Sequence, residues 1–222
     1  MGVPVLILGE SGTGKSYSLR NFKPGELGIV NVLGKPLPFQ TDLKTVSTRD
    51  IARVRAMLPK VSAKSIVVDD FGYLITDLYM RYSYGDEKLR DQFDVYKLIG
   101  HEVYGIINDV YSLPEDVIVY FVMHTDTTVG AIQPLTIGKL LNEKVKIVGM
   151  VTALLIAQCQ GGKYEFVTNG LPPAKTPPGM FPDRIPNDLR DVDKTMREFW
   201  KLGISDESES STNPQPQTLN QP

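Results

Sequence analysis

Residues Gly9-Glu10-Ser11-Gly12-Thr13-Gly14-Lys15-Ser16 follow the pattern GxxxxGK[ST] directly after an apolar run, Val3 to Leu8. Glycines at these positions let the backbone wrap a polyphosphate. Successive N–H groups then point inward at a helix start, where the dipole also favours negative charge. Lys15 is placed to reach the β- and γ-phosphates and Ser16 to hold Mg²⁺, with Tyr17 closing the nucleotide-binding segment. The Lys15 side chain is expected to be exposed, so that removing it would stop the chemistry without harming the fold.

A second carboxylate-bearing segment completes the chemistry. Ser65-Ile66-Val67-Val68-Asp69-Asp70 reads as a buried strand with two acids at its tip. An apolar body with a carboxylate at its end is what holds the Mg²⁺ water shell beside a phosphate loop, and Asp69 takes that role. Asp70 stands where a carboxylate could polarise an attacking water, or it could cap a helix starting at Phe71. Glu10, inside the loop, is a rival base. Val117 to Met123 is a further apolar strand ending in His124, a position from which a polar side chain could touch the γ-phosphate. A hydrogen-bonded structural histidine is the simpler alternative.

The elements that position these groups can be read from periodicity. A helix is expected over Lys15 to Phe22, a strand over Leu27 to Leu33, and a helix over Ser47 to Leu58 capped by Ser47 or Thr48. Asp94 to Tyr111 has helical spacing. Ile147 to Gln158 and Tyr164 to Asn169 read as strands joined at Gly161-Gly162, and Asp188 to Leu202 as a final amphipathic helix. Strands alternating with helices, then a late hairpin, give an α/β fold with a mostly parallel sheet and a C-terminal antiparallel extension. Ligands should collect at the carboxyl ends of the parallel strands. Thr125 to Gly138 is long, polar and unpatterned, which marks a working loop.

Composition bounds the rest. The 222 residues are 41% hydrophobic, enough for one sizeable core. The expected division is a domain over 1–203 and a disordered acidic, Ser/Pro/Gln-rich tail over 204–222. Cys159 is the single cysteine, and no secretory segment or apolar span of membrane length is present, which points to the cytoplasm and to no membrane partner. The formal charge is −2, and without the tail 24 basic residues face 23 acidic ones, so nucleic-acid binding would have to come from local patches. The segment Arg81-Tyr82-Ser83-Tyr84-Gly85, with Lys88 and Arg90, interleaves rings on which bases could stack with cations for phosphates. Read more simply, it is a solvated loop between helices.

GESGTGKS, IVVDDFGYL, VYFVMHTD, TIGKLLNEKV, GGKYEFVTN, AKTPPGMF and IPNDLRDVD together resemble the phage-encoded AAA-domain ATPases related to core-only RecA-like recombinases and single-strand annealing proteins. The resemblance runs from about Val3 to Trp200. It implies a P-loop NTPase with a RecA-like core, an ATPase using ATP and Mg²⁺, and single-stranded DNA annealing or strand exchange in phage recombination, in the host cytoplasm. The partners it implies are single-stranded DNA, further copies in a ring or filament, and a single-strand-binding or replication protein. By position it makes Thr125 to Gly138 a DNA-contacting loop, with Arg81, Tyr82, Tyr84, Lys88, Lys139 and Lys144 nearby. It also makes Lys175 a cation offered across a subunit interface. The pattern departs from RecA-like proteins in lacking a Glu after the second strand, where Asn31-Val32-Leu33-Gly34 stand.

The absence of an NKxD motif argues against a GTPase, and no Arg-rich lid marks a small-molecule kinase. Two other classes stay open: a nucleotide-switched helicase loader or assembly factor without DNA-pairing activity, and a nucleotide kinase.

Overall fold

The computed structural model describes residues 1–127 and 130–203. The expectation of a disordered tail over 204–222 therefore lies outside the described residues, as do two positions of the Thr125 to Gly138 loop. The chain order is β1 (Val3–Gly9), β2 (Leu27–Asn31), β3 (Thr45–Val46), α1 (Ile51–Met57), β4 (Ser65–Asp69), α2 (Gly72–Tyr84), α3 (Gln92–Tyr111), β5 (Ile118–Asp126), β6 (Gln133–Pro134), α4 (Ile147–Met150), β7 (Ala153–Gln160), β8 (Lys163–Val167), β9 (Arg184–Pro186) and α5 (Leu189–Trp200). The sheet runs β3-β2-β4-β5-β1-β7-β8-β9, with β6 folded back on β5. From β3 to β7 the pairing is parallel, and β8 and β9 extend the sheet antiparallel.

β1 is buried at all seven positions, the mark of a central parallel strand covered on both faces. Its side chains alternate between two cores. Leu6 and Leu8 join Val54, Ile75, Val103 and Phe121 beneath α1, α2 and α3, whereas Val5 and Ile7 join Leu19, Tyr120, Leu189 and Met196 beneath α5. This is a three-layer α/β/α fold. β5 lies between the phosphate-loop strand and the Asp69 strand. α5 is held down by a buried polar knot: Asp193 accepts from Ser65 Oγ at 2.7 Å, Tyr120 OH at 2.9 Å and Arg197 Nε at 2.7 Å.

Several element expectations are corrected. The segment after the phosphate loop is a short 3-10 helix, Ser16–Asn21, which ends before Pro24-Gly25. The cap of α1 is Asp50, which accepts from Ala52 N at 2.9 Å and Arg53 N at 3.3 Å; Ser47 and Thr48 lie between β3 and the helix. Ile147–Met150 is a helical turn entered through Lys146 at φ 57°, so β7 begins only at Ala153. β5 runs on past His124 to Asp126. Its extension pairs with β6, turning much of the long loop into a folded-back arm. Arg81 to Tyr84 is the last turn of α2 rather than a loop.

Candidate nucleotide site

The phosphate loop leaves β1 at Gly9 because nothing larger fits there. A Cβ on Gly9 would meet Thr13 Oγ1 at 2.5 Å and the Ala157 carbonyl at 2.8 Å. Gly14, at φ 86°, lets the loop close onto Tyr164 and Asn187, with a Cβ there falling 2.7 Å from the Tyr164 ring. The loop forms the floor of a cleft of about 940 Å³ at the carboxyl ends of β1, β4 and β5.

Lys15, Ser16, Asp69, Asp70 and His124, all expected at the site, converge in it. Ser16 Oγ donates to Asp69 Oδ2 at 2.8 Å and lies 3.1 Å from Oδ1. The register of β5 sets His124 beside Gly9. This brings His124 Nδ1 to 3.5 Å from Lys15 Nζ, and His124 Nε2 to 3.6 Å from Asp70 Oδ1. Asp70 sits at φ 62°, a left-handed conformation that aspartate tolerates better than most side chains. The strained turn aims its carboxylate at His124 and at Lys35, whose Nζ is 3.6 Å from Oδ2. The cap position of α2 is Phe71, with no side-chain cap bond, so the helix-cap alternative for Asp70 has no support. Glu10 is exposed at the rim.

The expectation that Lys15 is exposed is wrong. The residue is only 7% exposed, because its ammonium folds back to donate to the carbonyls of Gly9 at 2.8 Å and Glu10 at 2.7 Å. Burial pulls its pKa down to about 8, against the opposing pull of the Asp70 and Asp69 carboxylates. Burial raises the Asp69 pKa, and the Ser16 hydroxyl partly opposes this. Asp70 is held below the usual carboxylate range, chiefly by His124 and then by Lys35.

The structure adds groups that the sequence reading missed. Tyr17 meets Tyr164, with ring centroids 5.8 Å apart, and Phe39 at 6.4 Å, while the Arg20 guanidinium lies 4.4 Å over the Tyr17 ring. The GGKY hairpin was the available signal for Tyr164, since folding Gly161-Gly162 back brings that ring to the loop. Asn31 pairs in register with Asp69 and is buried. Its amide oxygen accepts from Gly34 N at 2.8 Å and its NH₂ donates to Lys35 O at 2.6 Å, so it builds the turn that presents Lys35.

Lys175 is not at this cleft. Its backbone pairs with Leu154 on β7, and its half-buried ammonium donates to the Val148 carbonyl at 2.7 Å. Burial lowers its pKa. Of the expected DNA contacts, Tyr82 packs against the first core and Arg81 pairs with Glu87 at 3.2 Å. Tyr84 is 67% exposed, and Lys88, Lys139 and Lys144 are exposed. Rings join the two segments: Tyr84 meets Tyr79 at 5.9 Å, Tyr79 stacks on Tyr96 at 6.1 Å, and Tyr96 lies against Gly138, next to Lys139.

No family model matches the chain, and no curated protein matches it. Among solved structures it is similar to one described as the ATPase domain of another protein. The identity is 10%, over 80% of this chain and 78% of that one, with a TM-score of 0.47. Among the described residues, no cluster of three or more His, Cys, Asp or Glu converges on a metal position, and no helix is long and apolar enough to cross a membrane.

Proposed function

We propose that the chain binds and hydrolyses ATP with Mg²⁺ and couples that cycle to single-stranded DNA. The observation that carries the nucleotide half is the Ser16 hydroxyl hydrogen-bonded to the Asp69 carboxylate beside the Lys15 ammonium. One hydroxyl and one carboxylate suit Mg²⁺, which keeps several waters and takes its other ligands from phosphates. Ser16 and Asp69 would hold the ion, which supplies neutralisation of phosphate charge.

The glycine-rich loop, Gly9 to Ser16, cradles the phosphates, and Tyr17 and Tyr164 offer rings to the base. Lys15 exchanges the Gly9 and Glu10 carbonyls for phosphate oxygens. Asp70, kept ionised, orients a water for in-line attack. The water oxygen bonds to the γ-phosphorus, the bond to the β–γ bridging oxygen breaks with its electron pair leaving on ADP, and the proton passes toward the carboxylate. His124 touches Lys15 on one side and Asp70 on the other. Its backbone oxygen accepts from Leu135 N at 2.8 Å, in the arm that returns on β5. A change at the γ-phosphate therefore has a bonded path into that arm and on to Gly138, Lys139 and the Tyr96–Tyr79–Tyr84 rings.

The DNA half rests on that contiguous face of rings and cations and on the family resemblance, with annealing or strand exchange by a ring or filament as the output. Lys175 would act only across a copy-to-copy interface. Exposed Met80, Phe93 and Tyr104 on α2 and α3 favour a second reading, a nucleotide-switched factor that docks a protein partner there. ATP hydrolysis measured with and without single-stranded oligonucleotide separates the two. Stimulation together with salt-sensitive binding supports the DNA reading. Hydrolysis indifferent to DNA, with no binding at low salt, leaves the partner switch.

A further inference from the structure

We infer that Lys35 is a catalytic cation supplied in cis, meeting the γ-phosphate from the side of the cleft opposite the phosphate loop. This rests on the ATPase reading above and adds a residue to it. Lys35 follows β2 on a turn that Asn31 builds from both ends of its amide and that Gly34 completes at φ 68°. The turn fixes the backbone but leaves the side chain free: it is 64% exposed, with its ammonium 3.6 Å from Asp70 Oδ2 and 5.7 Å from the Tyr73 ring centre. Among the described residues, Lys15 and Lys35 are the cleft's two lysines, and they meet Asp70 from different elements.

An ammonium held by a solvent-screened carboxylate contact and a distant ring is a loosely bound charge. A terminal phosphate carries more charge and more acceptor oxygens than the Asp70 carboxylate, and a lysine serves as a mobile point charge for it. When phosphate enters, Lys35 moves from Asp70 to the γ-oxygens. Asp70 then keeps His124 and gains a free oxygen for water. Thr125, another residue lining the cleft, keeps a buried Oγ1 without a hydrogen-bond partner. Lys175, tied to Val148, does not line this cleft, whereas Lys35 does.

The test compares Lys35→Ala and Lys35→Arg with the wild-type chain, using Mg²⁺-ATP turnover and titrations of fluorescent ATP and ADP analogues. Lys35→Ala should lower kcat at least tenfold and weaken the ATP analogue several-fold. The ADP analogue, which lacks the γ-phosphate, should bind as it does to wild type. Lys35→Arg should restore most of the turnover. Equal loss for ATP and ADP analogues would make Lys35 a structural prop and overturn the inference, as would unchanged kcat in Lys35→Ala. A wild-type chain that turns over no ATP overturns the ATPase reading itself and this inference with it.

Discussion

Replacing Lys15 by Met should make the protein more stable while ending hydrolysis. The folded-state pKa is about 8 against an ordinary 10.5, so burial disfavours the charged ammonium by about 3 kcal/mol at neutral pH. Because the folded value is depressed, the unfolded chain holds the proton more tightly. The penalty is full below pH 8 and fades as pH rises toward 10.5, so stability increases with pH across that window. Between pH 7 and about 9.5 the wild-type chain should recover about 2 kcal/mol from this group. Lys15→Met has no such group. At pH 7 it escapes the penalty but loses the bonds to the Gly9 and Glu10 carbonyls, about 1–2 kcal/mol, for a net gain of roughly 1–2 kcal/mol. Urea unfolding by far-UV circular dichroism at both pH values, with the m-value held constant, measures this. A Lys15→Met variant less stable than wild type at pH 7, or showing the same rise with pH, would refute the buried-ammonium account.

Asp69→Asn should abolish the Mg²⁺ dependence of nucleotide-analogue binding, checked by titration with and without EDTA; a retained dependence removes Asp69 from the metal site. Tyr82→Ala should destabilise the fold by about 1–2 kcal/mol in thermal melts, because its ring packs on the core. Tyr84→Ala should leave the melt unchanged and weaken single-stranded DNA binding roughly tenfold in low-salt anisotropy, and the reverse pattern would exchange their roles. Glu26, drawn down to about 2 by its hydrogen bonds from Arg190, adds stability that is full above pH 4.5 and lost as pH falls through about 2. Arg190→Gln should therefore move the acid-unfolding midpoint upward, followed by circular dichroism. If Lys175 acts between copies, mixing Lys175→Ala with Lys15→Ala chains restores some turnover at their shared interfaces, and a mixed oligomer with no recovery makes Lys175 only the tether of Val148.

The legible parts of this chain are those whose chemistry is local. Gly9 to Ser16 and the apolar strand before them name the loop because the backbone geometry needs those glycines. Asp69 follows because a buried strand with an acid at its tip has few other uses beside such a loop. His124 does lie in the cleft although β5 runs past it, since strand order can be inferred without knowing where the strand stops. What escaped depends on contacts between distant segments. The burial of Lys15 arises when its own loop's carbonyls curl over it, a closure that residue types do not display. Tyr82 reads as solvent-facing because its neighbours are charged, yet α2 continues through it and turns it onto the core. Ile147 to Met150 is as apolar as a strand, but Lys146 in a left-handed conformation turns the chain first. Asn31 is the most instructive case: where a Glu is missing, the gap reads as a lost base. The amide instead spends its oxygen on Gly34 N and its NH₂ on Lys35 O, bonds that a carboxylate, having no N–H, could not both make. Asn at this position therefore trades a carboxylate in the cleft for a turn that delivers an ammonium to it, which leaves Asp70 as the carboxylate nearest both His124 and Lys35.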